Sequence, residues 1–230
     1  MLAYIFDLDG VLTDTAALHF AAWRRLAAEL GIRLDEQVNE ALKGVDRATS
    51  LDIVLGLRAR RYSPQEKEEL ARRKNAYYVD SLRDLSPDDV LPGALDVLVA
   101  CKRSGSRCAL ASSSRNARHV IERLGIGDGF DVVVDGTAVV NAKPHPEIFL
   151  HAARLLNVPT STCIGVEDSV AGIQAIKAAG MQAVGIGNAT VLAPAGADVV
   201  IDNISGFVTL IERLASAQGG DIGKARDRQM

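Results

Sequence analysis

Apolar residues along this chain fall in short runs separated by longer amphipathic stretches. Leu2–Phe6 is the first run and ends on Asp7; Cys108–Ala111, Val132–Val134, Thr162–Val166, Ala183–Ile186 and Asp198–Ile201 follow much later. Runs that are apolar on both faces suit parallel strands buried between two helix layers. The stretches between them, Ala94–Ser104, Asn116–Leu124, Glu147–Leu156, Val170–Ala179 and Ser205–Ala215, have helical spacing. Gly125 and Gly180 stand where a left-handed helix cap is expected. Strand and helix in alternation predict an α/β fold: a doubly wound, mainly parallel, Rossmann-like sheet.

Between the first and second runs, from about Thr15 to Asp88, no strand pattern occurs. Helices are predicted over Ala16–Leu30, stopped by Gly31, and Asp35–Lys43, stopped by Gly44. Asp46 can cap a third, and Ser63-Pro64-Gln65-Glu66 is a capping box opening a fourth that runs to about Arg83. A helical block of this size exceeds any βα loop. It predicts an all-helical cap domain over 15–87 inserted into a core made of 1–14 and 88–217, with linkers near Thr13–Thr15 and Ser86–Asp89. Residues 218–230 lack periodicity and are expected to be a disordered tail.

The composition narrows the class. With 230 residues, 48% apolar and 24% charged, the chain can bury a core without staples. A net charge of −3 argues against a nucleic-acid or anionic-membrane partner. No apolar run approaches the ~20 residues that span a bilayer, and the N-terminus has no signal-peptide pattern. Three cysteines without a C-x-x-C pair point to free thiols and a cytoplasmic location. Gly125–Gly129 does not form G-x-G-x-x-G, which argues against a dinucleotide site.

Candidate chemistry gathers at the ends of the apolar runs. Asp7-Leu8-Asp9-Gly10 puts two carboxylates just past the first strand, where open α/β sheets bind ligands. Glu167-Asp168 follows a later strand in the same way. If these strands are neighbours, their oxygens suit Mg2+; N-capping of the next helix by Asp168 is the structural alternative. Ser112-Ser113-Ser114 leads from a strand into a helix and can hold an anion, and Lys143 sits on a proline-rigid stretch. Carboxylates, hydroxyls and lysine on successive loops are what a phosphoryl-transfer site needs. In the helical block, Arg47 falls in the first turn of a helix, Lys74 lies on an apolar face, and His19 shares a face with Trp23.

The segments DLDGVLTDT, ASSSRN, AKPHPEIF and GVEDSVAGIQAIKAAG resemble the four signature motifs of the haloacid dehalogenase superfamily of phosphotransferases. HFAAW, LKGVDR and ARRKNAYYV are similar to its sugar phosphomutase branch. The resemblance implies Asp7 as the nucleophile that becomes an aspartyl phosphate and Asp9 as general acid and base. It implies that His19 bonds Asp9, that Thr15 stands at the hinge, and that Ser112 and Lys143 hold the transferring phosphate. Mg2+ would be held by Asp7, the Asp9 carbonyl, Glu167 and Asp168. Arg47, Ser114, Arg115 and Asn116 would hold the distal phosphate of a bisphosphorylated sugar; Leu8, Gly44, Val45, Lys74 and Ser113 complete the substrate contacts. The implied partners are small sugar phosphates, handled by a monomer.

Two other functions share this pattern: a sugar-phosphate phosphatase on the same scaffold, and a receiver-like regulatory module, which is about half as long and lacks the helical insertion. The chain departs from the branch at Asp46 and Ala142, where the branch has serine, at Ser113, where the branch has alanine, and at Arg115, where the branch has lysine. Asp46 is expected to weaken the grip of Arg47 on phosphate.

Overall fold

A computed structural model describes residues 1–215 of the chain. The tail expected to be disordered, 218–230, lies outside the described residues. Tyr4 and Phe6 enter one apolar cluster and Ala3 and Ile5 another, so the first strand, β1 (Ala3–Phe6), is buried on both faces. The same alternation places Cys108 and Leu110 opposite Ala109 and Ala111 in β2 (Arg107–Ala111). With β3 (Val132–Val134), β4 (Cys163–Glu167), β5 (Gln182–Ile186) and β6 (Val199–Ile201) they form one six-stranded parallel sheet in the order β3-β2-β1-β4-β5-β6. β1 therefore pairs with β2 on one side and β4 on the other, with Phe6 opposite Val166. The strand order reverses between β1 and β4, where a crevice opens beyond the carboxyl ends of the strands.

Helices cover both faces. In chain order the helices are α1 (Thr15–Glu29), α2 (Glu36–Leu42), α3 (Arg47–Gly56), α4 (Pro64–Ser81), α5 (Ala94–Arg103), α6 (Ala117–Arg123), α7 (Glu147–Leu156), α8 (Val170–Ala178) and α9 (Ala189–Leu192). α5 and α6 pack through Val97, Leu98, Val120 and Ile121 on the Tyr4 face. α7 and α8 pack through Ile148, Phe149, Ile173 and Ile176 on the Ile5 face. The helix expected from Ser205 begins as a 3-10 turn, Ile204–Gly206, and continues over 207–215. Among the described residues no helix is long and apolar enough to cross a membrane, and all three cysteines are free and buried.

The four helices between β1 and α5 have their own apolar cluster, built on Trp23, Leu26, Leu51, Val54 and Leu70. Their ends follow local chemistry. Asp35 and Asp46 accept backbone N–H groups at the starts of α2 and α3, and Ser63 and Glu66 form the reciprocal capping box of α4. Gly31 and Gly44 take positive φ of 67° and 72° just past α1 and α2. The two connections to the sheet run side by side: Thr13 Oγ1 donates to the Asp89 carbonyl at 2.9 Å, and Leu91 N to the Leu12 carbonyl at 2.9 Å.

Candidate active site

The β1–β4 pairing sets the acidic groups together. Asp7, the residue after β1, donates its N–H to the Val166 carbonyl at 2.9 Å, and Glu167 closes β4. One carboxylate oxygen from each of Asp7, Glu167 and Asp168 lies within 4.8 Å of the others. Close approach is possible because two glycines stand beside them. A Cβ on Gly172 would come within 1.8 Å of Glu167 Oε1, and one on Gly10, whose φ is +81°, within 2.1 Å of Asp168 Oδ2. Asp168 does not cap α8. Ser169 does, accepting from Gly172 N at 3.1 Å, because the Asp168 carboxylate is turned toward Asp7.

Lys143 holds this charge. Its buried Nζ donates to Asp7 Oδ1 at 2.6 Å, Glu167 Oε1 at 2.7 Å and the Ala111 carbonyl at 3.1 Å. Burial opposes the ammonium, but the two carboxylates outweigh it and hold Lys143 above the ordinary lysine range. The loop before Lys143 is gripped by Glu147, whose carboxylate accepts from Val140 N at 2.9 Å and Asn141 N at 3.0 Å. Burial pushes Asp7 up to about 7, with Lys143 opposing and Glu167 reinforcing. Asp168 is driven well above the carboxylate range by burial, then by Glu167 and Asp7. Two buried carboxylates and a half-buried third, whose charge one lysine leaves partly unmet, fit a divalent cation.

Asp9 lies apart from that cluster. Thr15, at the start of α1, donates its hydroxyl to Asp9 Oδ1. Burial raises the Asp9 carboxyl and the Thr15 bond opposes that rise. The hydrogen bond from His19 to Asp9 implied by the resemblance is replaced here: His19 Nδ1 lies 2.6 Å from Lys74 Nζ, and its ring stacks on Tyr78 at 3.7 Å. Lys74 is buried, as its apolar face predicts, over the rings of Trp23 and Tyr78 at 4.7 and 5.1 Å. The ammonium does not snorkel to solvent. Burial and Arg47 push it down to about 7, against the attraction of Asp9. Burial, then Lys74 and Arg47, hold His19 well below the histidine range.

The serine loop is ordered by its own hydroxyls. Ser112 Oγ accepts from Ser114 N at 3.1 Å and Ser114 Oγ from Asn116 N at 3.2 Å, while Ser113 Oγ donates to the Gly44 carbonyl at 2.9 Å in the helical block. Leu8 is fully buried in the apolar core, so any substrate contact from it is made by its backbone. Gly44, Val45, Arg47 and Arg115 line the same cavity of about 470 Å3 as Asp7, Asp9, His19, Lys74, Lys143 and Asp168. Asp46 departs from expectation: its carboxylate is turned onto Ala48 N at 2.8 Å and Thr49 N at 3.3 Å, away from Arg47. Arg47 instead donates to Asn75 Oδ1 at 2.7 Å. The sequence reading missed Asn75 and Glu147. Asn75 acts through polar bonds to residues 28 and 41 positions away, and Glu147 through bonds to the irregular loop six and seven residues before it; neither leaves a periodic signal.

A family model described as haloacid dehalogenase-like hydrolase matches residues 1–180. The chain is 45% identical over 207 residues to a β-phosphoglucomutase of Bacillus subtilis, covering 89% of this chain and 91% of that one. It is 34% identical over 185 residues to a phosphorylated carbohydrates phosphatase of Thermotoga maritima, covering 79% and 83%. A crystal structure of β-phosphoglucomutase from Clostridium difficile superposes with a TM-score of 0.88 at 42% identity, covering 95% of this chain and 98% of that one.

Proposed function

This chain belongs to the haloacid dehalogenase-like hydrolase family, and from that premise we propose that it is a β-phosphoglucomutase, interconverting β-D-glucose 1-phosphate and glucose 6-phosphate. One observation carries the reading: a single cavity is lined by Asp7 and Asp9 from the sheet and by Arg47 and Lys74 from the helical block. A sugar bisphosphate spanning it meets a nucleophile at one end and cations at the other. Residues 15–87 act as the cap that shuts water out of this cavity.

Asp7 carries the phosphoryl group as an acyl phosphate. The sugar 6-hydroxyl attacks phosphorus while Asp9 takes its proton, which frees the Asp7 carboxylate and leaves β-glucose 1,6-bisphosphate. The bisphosphate turns end for end. Asp7 then attacks the phosphorus on O1, and protonated Asp9 returns the proton to that oxygen as glucose 6-phosphate leaves. The different surroundings of the two acids suit these roles: Asp7 touches Lys143, whereas the Asp9 carboxylate accepts from Thr15. Lys143 and the serine-loop amides orient the phosphoryl oxygens, and Arg47 with Arg115 takes the second phosphate. Asp7, Glu167 and Asp168 would hold Mg2+, with the Asp9 carbonyl as the fourth protein donor. When bound, the ion would neutralise charge on the phosphoryl oxygens.

A sugar-phosphate phosphatase would use the same Asp7 and Asp9 and deliver water in place of a sugar hydroxyl. A coupled assay with Mg2+, either anomer of glucose 1-phosphate and a bisphosphate primer separates the two. The mutase reading expects glucose 6-phosphate from the β anomer alone, with primer dependence; release of inorganic phosphate without glucose 6-phosphate overturns it.

A further inference from the structure

Asn75 makes a junction that nothing in the mechanism above uses. Its side-chain oxygen accepts from Arg47 Nη2 at 2.7 Å and from Asn116 Nδ2 at 3.0 Å. Arg47 opens α3 in the helical block, and Asn116 precedes α6 against the sheet. One oxygen thus ties the two halves together at the edge of the cavity, beside a second crossing bond from Ser113 to Gly44. Among the described residues Arg47 makes no ion pair. Its neighbour Asp46 is occupied with the first amides of α3, and the nearby charge that acts on the guanidinium is the like charge of Arg115.

A guanidinium has five N–H donors. One bond to an amide oxygen fixes its plane and leaves the rest for a phosphate. A carboxylate in place of Asn75 would fix the plane equally well and cancel the charge that a dianion needs. The geometry points to Asn75 as a positioning residue, resting on the mutase reading above: it holds Arg47 against Asn116 so that an uncompensated guanidinium faces the far phosphate when the helical block is seated on the sheet. The same bond favours closure, so its loss admits water to the phosphorylated Asp7.

The test uses the full chain in an Asp7→Asn background, where β-glucose 1,6-bisphosphate binds without turnover and calorimetry reads its affinity. Asn75→Ala is expected to weaken binding about tenfold. Asn75→Asp, isosteric and still an acceptor, is expected to weaken it at least as much. With Arg47→Ala already present, Asn75→Ala is expected to add little, as for a residue acting through another. In the active enzyme, Asn75→Ala is expected to raise the share of turnover released as inorganic phosphate. Wild-type affinity in either variant, or a full additional loss on top of Arg47→Ala, overturns the assignment. If Asn75→Ala melts early, the isosteric Asn75→Asp carries the comparison. A wild-type enzyme that makes no glucose 6-phosphate sinks the mutase reading alone, because the bisphosphate affinities still test Asn75.

Discussion

Lys74 is buried without an ion-pair partner among the described residues, between His19 and the rings of Trp23 and Tyr78. Burial, and then Arg47, lower it from 10.5 to about 7. Between those pH values the unfolded chain binds a proton that the folded chain lacks, so stability rises with pH across that window. Below it, the folded state carries the full cost of a buried charge. Methionine has a similar shape and no charge. Lys74→Met is therefore expected to stabilise the protein by about 1–2 kcal/mol at pH 6, with the gain shrinking as pH rises from 7 toward 10. Loss of the cavity-facing cation is expected to slow interconversion about a hundredfold. Thermal melts at pH 6 and 9 beside the coupled assay check both; a less stable variant at pH 6 would show that the ammonium is a structural strut.

Within α8, local propensity and site geometry oppose each other. Gly172 is the third residue of the helix, where alanine would favour the helix by roughly 0.5–1 kcal/mol. Its Cβ, however, would overlap Glu167 Oε1, and Glu167 is held by Lys143 and Ser169. Overpacking of this kind costs about 1–3 kcal/mol. Gly172→Ala is thus expected to lower the melting temperature and to weaken Mg2+ binding by about tenfold or more, measured by melts and metal titration; a stabilised variant with unchanged metal affinity would contradict the assignment of Glu167. The elements themselves were legible because their signals are local: two-faced apolar runs for the strands, Ser63–Glu66 for the start of α4, Gly31 and Gly44 for the ends of α1 and α2. α9 escaped notice because its four residues make a single turn, too short for a period. At β4 the sequence left open whether Asp168 caps the helix, since both Asp168 and Ser169 are residues that cap. Lys74 was visible as a charge on an apolar face, whereas Asn75 has polar partners that only the tertiary fold supplies and Glu147 bonds an irregular loop just before it that carries no period. His19 was placed by resemblance, and its partner turned out to be Lys74.

Across the whole molecule, folding concentrates acids where the strand order reverses, and its cost depends on what neutralises them. Burial is the first cause that raises Asp7, Asp9 and Asp168, with Asp7 reaching about 7 from 3.8. A carboxyl raised on folding binds its proton more tightly in the folded state, so its contribution is full below the unfolded value and is lost as pH climbs through the folded one. On account of Asp7, metal-free protein should therefore lose stability from about pH 4 to about pH 7, with Asp9 and Asp168 acting in the same direction. Lys143 does not alter this window, since its proton is held more tightly than an ordinary lysine's. Exposed carboxyls such as Glu66 and Glu69 are shifted downward and slope the other way, but they act equally with and without metal. A cation on Asp7, Glu167 and Asp168 favours the ionised acids and stabilises the folded state in proportion to its occupancy. The difference in melting temperature between Mg2+-saturated and chelator-treated protein is expected to be small at pH 5 and to widen by several degrees toward pH 7 as Asp7 ionises. In Asp168→Asn that widening is expected to shrink. A difference independent of pH would mean that the metal binds away from the acids that β1 and β4 bring together.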